Sequence, residues 1–116
     1  MGHWQKAKSA AGADEWEELY YTAQKREVIQ ILSGYTSALT GYISFHLYPA
    51  GAQHAPTSGP SGRDGLLIAM GETSQDYMGL FSWTGALVLE DGEEIRCLFH
   101  RTTALDVLRF NVGIRP

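Results

Sequence analysis

Apolar and polar residues alternate along much of the chain, most regularly in its last third. Ile95, Cys97 and Phe99 fall on one face of an extended segment, and polar residues, among them Arg96 and His100, fall on the other. Side chains of a strand point alternately to opposite faces, so this period predicts a strand with one buried and one solvent-facing side. The same alternation returns at residues 108–115 and predicts a closing core strand.

A turn signal precedes the first of these strands. Asp91-Gly92 lies between an apolar run at residues 86–89 and the alternating run that starts at Glu94. Glycine tolerates the positive φ of a tight turn, so the dipeptide predicts a β-hairpin. Residues 42–48 alternate as cleanly, with Ile43, Phe45 and Leu47 on one face, and predict a further strand.

The remaining segments give weaker patterns. Residues 26–32 and 66–70 are apolar runs of strand type, residues 33–37 suggest a turn or loop, and residues 14–21 fit either a short helix or a strand. Residues 49–65 are rich in proline and glycine and predict a long loop. Together the pattern predicts an all-β fold, an antiparallel sandwich or jelly roll of seven or eight short strands.

The N-terminal segment has no clear period. Residues 1–14 are small and polar apart from Trp4, so we expect an extended arm, followed by a single β-sandwich domain at residues 15–116. Two interpretations remain open for the arm. It is either a frayed terminus or a segment that docks on a neighbouring subunit with Trp4 as its anchor.

Composition narrows the function classes. A chain of 116 residues predicts one domain, and a net charge of −4 without a basic patch argues against nucleic-acid binding. No apolar run reaches the roughly 18 residues of a membrane span, and residues 1–6 lack the apolar core of a secretory signal. The single Cys97 excludes an internal disulfide, and its apolar neighbours predict a small buried residue.

No catalytic constellation is recognisable. The histidines (His3, His46, His54 and His100) lack metal-site spacing, and neither a nucleophile elbow nor a phosphate loop occurs. The acids near Asp91 lie at a predicted turn, a poor place for the raised pKa that acid catalysis needs. We therefore expect neither an enzyme nor a cofactor, and a glycan hydrolase is the weakest alternative.

Aromatic residues are the strongest hint of a binding surface. Tyrosine on a strand commonly packs half-exposed, but tyrosine and tryptophan are also enriched at protein interfaces, and stacked aromatics can bind sugars. The candidate partner contacts are aromatic, basic and histidine side chains of the arm, the predicted strands and the loops: Trp4, Tyr35, Tyr48, His54, Arg63, Tyr77 and Trp83.

Five short motifs, in order, resemble a group of small β-sandwich virion proteins of tailed bacteriophages. The first motif, at 19–29, consists of Tyr-Thr, a short loop, a basic residue and a valine. The second is the strand end His-Leu-x-Pro-x-Gly at 44–51, and the third is the Gly-Glu-Thr turn at 70–73. The hairpin at 87–96 and the closing strand at 110–114 complete the set. The opening departs from the group, since Ala-Gln-Lys replaces a loop that commonly carries proline and glycine. Residues 1–14 have no counterpart in it.

The resemblance implies a structural role in the virion. We expect a capsid decoration (cement) protein that binds the major capsid shell as a homotrimer and is assembled in the cytoplasm of the bacterial host. The alternative is a tail, baseplate or fibre component that contacts the host surface. Its partners would be other phage structural proteins, with neither nucleic acid nor membrane among them.

Overall fold

A computed structural model describes residues 2–10, 15–38, 41–51, 66–73, 78–102 and 105–116. Within them the chain forms eight strands and no helix, so no helix is present that could cross a bilayer. The strands are β1 (Gly2–Ser9), β2 (Glu15–Thr22), β3 (Glu27–Thr36), β4 (Tyr42–Tyr48), β5 (Leu66–Glu72), β6 (Leu80–Leu89), β7 (Glu94–Thr102) and β8 (Val107–Ile114).

The strands form two antiparallel four-stranded sheets, which confirms the all-β prediction. The first sheet has the order β1-β8-β3-β6, and the second has the order β2-β7-β4-β5. Only β4 and β5 are neighbours both in the chain and in a sheet. All other pairings join strands that are distant in sequence.

The two sheets pack on each other through one apolar cluster. Phe45 of the second sheet stacks against Phe81 and Phe110 of the first, with ring centroids 5.5 and 5.9 Å apart. At Gly34 the sheets approach so closely that an added Cβ would lie 2.9 Å from Cγ2 of Ile43. The sandwich-like arrangement is therefore packed through large aromatic side chains, next to Gly34, which has no side chain.

The expected N-terminal arm takes a different form. Gly2–Ser9 is strand β1, paired with β8 along its whole length from Gly2↔Ile114 to Ser9↔Val107. The ring of Trp4 packs edge-on against Phe110 of the same chain, with centroids 5.6 Å apart. The alternation of β1 is hard to recognise in the sequence because Lys8 is on the inner side of the strand, where an apolar residue is expected. Lys8 lies at the rim of the sandwich and pairs with Glu17 instead of entering the core.

The turn at Asp91-Gly92 is present, but it does not make a hairpin. Gly92 has φ of +87°, as the sequence predicts, yet β6 and β7 belong to different sheets. The backbone N–H of Gly92 donates to Ala23 O, and the N–H of Ala23 donates to Glu93 O. The turn is thus bonded to the β2–β3 connection, and the chain crosses from one sheet to the other.

Two further boundaries differ from the sequence analysis. Residues 33–36 continue β3 instead of forming a loop, because Gly34 is needed inside the strand where the sheets approach. Residues 15–22 are a strand, which resolves the helix-or-strand ambiguity. The predicted 49–65 loop lies outside the described residues beyond Gly51.

Candidate functional site

The outer face of the second sheet carries a group of titratable side chains that are buried or half-buried. Strand pairing places His46 opposite Arg96, Tyr48 opposite Glu94, and Tyr42 opposite His100. Ser44 lies between these rows, opposite Leu98. The sequence predicts the facing of these residues correctly but expects this face to be wet. Instead, its central side chains are buried or half-buried.

Arg96 explains much of that burial. Its guanidinium lies 3.7 Å from the ring centroid of Tyr48. Nε donates to Glu94 Oε1 at 3.1 Å, and Nη2 lies 3.0 Å from the same oxygen. Nη1 lies 3.9 Å from Oε2 of Glu18, and the arginine is only 3 % exposed. A flat cation between an aromatic ring and carboxylates can be buried because its charge is compensated.

Next to this ion pair, Ser44 bridges two histidines. Its hydroxyl lies 2.9 Å from Nε2 of His46 and 2.9 Å from Nε2 of His100. Burial lowers the pKa of His100 to about 4, helped by nearby His46. Burial also lowers the pKa of His46, against the opposing charge of Glu18. Both imidazoles are therefore neutral at pH 7, and the hydroxyl donates to one of them and accepts from the other.

This network is better suited to holding the sheet together than to catalysis. Ser44 is buried, and among the described residues His46 Nδ1 has no hydrogen-bond partner, so none of the carboxylates described there orients that imidazole as a base. Within the described ranges, no three His, Cys, Asp or Glu side chains are grouped so that they could hold a metal ion. Burial raises the pKa of the Cys97 thiol, which keeps it protonated on the core side of β7.

The four predicted partner contacts that the structure describes do not converge on one surface. Tyr48 is buried beneath Arg96, while Trp4 and Trp83 are half-buried and pack against the core. Tyr35 lies on the outer face of the first sheet, with the guanidinium of Arg109 5.7 Å from its ring centroid. The other three predicted contacts lie outside the described residues: His54, Arg63 and Tyr77.

One lateral side of the molecule is apolar, and sequence reasoning missed it. Edge strands β5 and β6 lie side by side there, where Gly71 meets the ring of Phe81. Of the seven residues of β5 and the ten of β6, only Glu72 is charged. Exposed apolar side chains mark this surface, which we call the β5/β6 edge: Leu66, Leu67, Met70, Leu80 and Val88.

The opposite side, formed by edge strands β1 and β2, is charged. Lys8 Nζ lies 2.7 Å from Glu17 Oε2, and Lys6 Nζ lies 5.7 Å from the ring centroid of Tyr20. Charged side chains on an edge strand discourage pairing with another chain. A signal for the difference exists in the sequence, since β5 and β6 contain one charged residue, Glu72, whereas β1 contains two lysines and β2 three glutamates.

Comparison with models of known protein families and with curated proteins finds no match.

Proposed function

We propose that this chain is a structural protein of a tailed-bacteriophage virion, a capsid decoration protein that associates with copies of itself and with the head shell. The five ordered sequence motifs support the virion role. The observation that carries the assembly role is the β5/β6 edge, which exposes apolar side chains and has one charged residue. Exposed apolar side chains concentrated along nearly uncharged edge strands favour an interaction site.

Strand order supports the finer assignment of the fold as a jelly roll. In an eight-stranded jelly roll, the first strand lies beside the eighth and the second beside the seventh, in two four-stranded sheets. The orders β1-β8-β3-β6 and β2-β7-β4-β5 fit that arrangement. Viral capsid proteins are among those that use the jelly roll, which agrees with a role in a virion.

The apolar edge favours contact through side chains between copies. Ala69 pairs with Phe45 and Leu67 with His46, so Ile68 is the extra residue of a bulge in β5. A bulge twists an edge and interrupts further ladder pairing. Two or three β5/β6 edges packed around a symmetry axis would bury Leu67 and Met70, and a domain of this size gains stability from such burial.

The assembly is tested by measuring the mass of the purified protein by light scattering or sedimentation. We expect a trimer for the native chain and a monomer for Met70→Glu, because a carboxylate would then be buried in an apolar contact. Gln5→Glu, an exposed position on β1, is the matched control and should leave the mass unchanged. A native chain that remains monomeric at its highest soluble concentration would overturn the self-association.

The position on the particle needs the virion itself. Cryo-electron microscopy of intact particles should place density for this fold on the head shell. Density only at the tail or baseplate would contradict the decoration role and support the alternative, a component that contacts the host surface.

A further inference from the structure

We propose that the cleft at one end of the two sheets, between β1, β2 and the start of β3, binds a short oligosaccharide. The cleft has a volume of about 690 Å³, within the range of small-molecule sites, roughly 300–1,000 Å³. Its lining combines aromatic rings with hydrogen-bonding groups: Trp4, Tyr21, Thr22, Gln24, Lys25 and Glu27. This inference does not rest on the proposed virion role.

The aromatic wall is fixed in place by packing. The ring centroids of Trp4 and Tyr21 are 5.2 Å apart with an interplanar angle of 61°, and Trp4 also packs edge-on against the fully buried Phe110. Both Trp4 and Tyr21 are half-buried, so part of each ring stays accessible in the cleft. An aromatic surface of this kind suits a pyranose ring, whose C–H groups form an apolar face between its hydroxyl groups.

A carboxylate is held in position beside this wall. The hydroxyl of Tyr21 donates to Glu27 Oε1 at 2.5 Å. Burial and this hydrogen bond raise the pKa of Tyr21, so the phenol keeps its proton. The bond holds Oε1 against Tyr21, and Oε2 of the same carboxylate is the acceptor we assign to ligand hydroxyls. Hydrogen bonds to a charged acceptor are stronger than those between neutral groups.

The remaining polar groups fit a polyhydroxylated ligand better than an anion or an apolar molecule. Gln24 offers an amide that both donates and accepts, and Lys25 offers an ammonium donor. Both are exposed at the mouth of the cleft. A phosphate in this cleft would meet the negative charge of Glu27, and an apolar ligand would cover that carboxylate and leave its Oε2 without a hydrogen-bond donor.

The site is longer than one sugar ring. A second cleft of about 480 Å³ shares Lys25 and Glu27 with the first and is also lined by Val28 and by Arg26 and Arg115, whose guanidinium groups add hydrogen-bond donors. The two clefts adjoin at Lys25 and Glu27. We therefore expect an oligosaccharide to bind more tightly than its monosaccharide unit.

The test is an NMR titration of the ¹⁵N-labelled full chain with four probes: maltotriose, cellotriose, triacetylchitotriose and mannotriose. At least one should produce saturable shifts at the Trp4 indole N–H and at the backbone amides of residues 22–27. Glu27→Gln keeps an acceptor for Tyr21 but removes the charge, and should weaken binding about tenfold. Gln24→Ala should weaken it as well, because one side-chain partner is lost.

Gln5→Ala is the matched control for Gln24→Ala, since Gln5 is an exposed glutamine on β1 that does not line the cleft. Trp4→Ala is avoided as the main variant because it would also remove packing on Phe110. The proposal is overturned if none of the four probes shifts these resonances. It is equally overturned if the shifts persist unchanged in Glu27→Gln and Gln24→Ala.

Discussion

At the scale of single residues, the decisive feature is a buried positive charge. Arg96 is compensated by Glu94 and Glu18 and stacked on Tyr48. Removing one partner of a buried ion pair leaves the other charge without compensation in a poorly solvated place. The role of Arg96 is thus to compensate the charges of neighbouring side chains, more than to bind an external ligand.

We expect Arg96→Leu to lower the free energy of unfolding by about 3–5 kcal/mol, as is typical when one partner of a buried pair is removed. Urea denaturation followed by circular dichroism measures this. The control is Arg26→Leu, because Arg26 Nε lies 3.6 Å from Glu90 Oε2 with both side chains mostly exposed. That variant should cost less than about 1 kcal/mol, and equal losses in both would contradict the assigned role of Arg96.

The bridged histidines predict how stability depends on pH. The pKa of His100 is lowered to about 4 in the folded chain, whereas an unfolded histidine titrates near 6.5. Between these values the unfolded state binds more protons, so stability is full above about pH 6.5 and falls as the pH drops towards 4. His100→Gln should flatten this decline in a series of urea titrations between pH 7 and pH 4.

His3 provides the matched control for that series, since it is an exposed histidine on β1. His3→Gln should keep the native pH profile, including any contribution from carboxylates near pH 4. A native slope retained in His100→Gln would show that protonation of His100 does not limit stability in acid.

At the scale of elements, glycines set how closely the two sheets approach. A Cβ at Gly71 of β5 would overlap the ring of Phe81 of β6, and a ring fixed in the core has little room to retreat. We expect Gly71→Ala to destabilise the fold by about 1–3 kcal/mol, the usual cost of overpacking. Thermal unfolding of Gly71→Ala and Gly2→Ala gives the comparison.

Gly2→Ala is a suitable control because its Cβ would lie 3.4 Å from Cβ of Ile114, an ordinary contact, in an edge strand. Its melting temperature should stay close to that of the native chain. A native-like Gly71→Ala would mean that β5 can move away from β6 without cost.

The strands themselves could be predicted from sequence where their period is local. Residues 42–48 and the faces of β7 agree with the structure because alternation depends only on neighbours in the chain. Neighbouring residues in the chain do not specify which sheet a strand joins. Asp91-Gly92 specifies a turn, but the contact of Gly92 with Ala23 decides that the chain changes sheets.

The candidate surfaces were harder to predict for the same reason. The sequence predicts Tyr48 as a contact residue, but in the structure Arg96 of a distant strand covers its ring. The cleft residues Trp4 and Glu27 belong to separate strands that only the pairing of β1 with β8 and of β8 with β3 brings near one another. The β5/β6 edge could have been found from the lack of charge in its two strands.

At the scale of the whole molecule, the two lateral sides differ in character. On the β1/β2 side, Lys8 forms an ion pair with Glu17, and the ammonium group of Lys6 lies over the ring of Tyr20. The β5/β6 edge is nearly uncharged and exposes Met70 to 54 %. Contact of one copy's apolar edge with another's charged side would bury charges, so like edges should meet around a symmetry axis.

The pairing of β1 with β8 also has a consequence for biosynthesis. Gly2 lies beside Ile114, so β1 can pair only after β8 has been synthesised, almost at the end of the described chain. Until then the nascent polypeptide carries incompletely paired strands, β1 and one side of β3 among them, and such intermediates are prone to aggregate. Chaperone dependence during translation would therefore follow from strand order alone, even for a chain that is stable once it is complete.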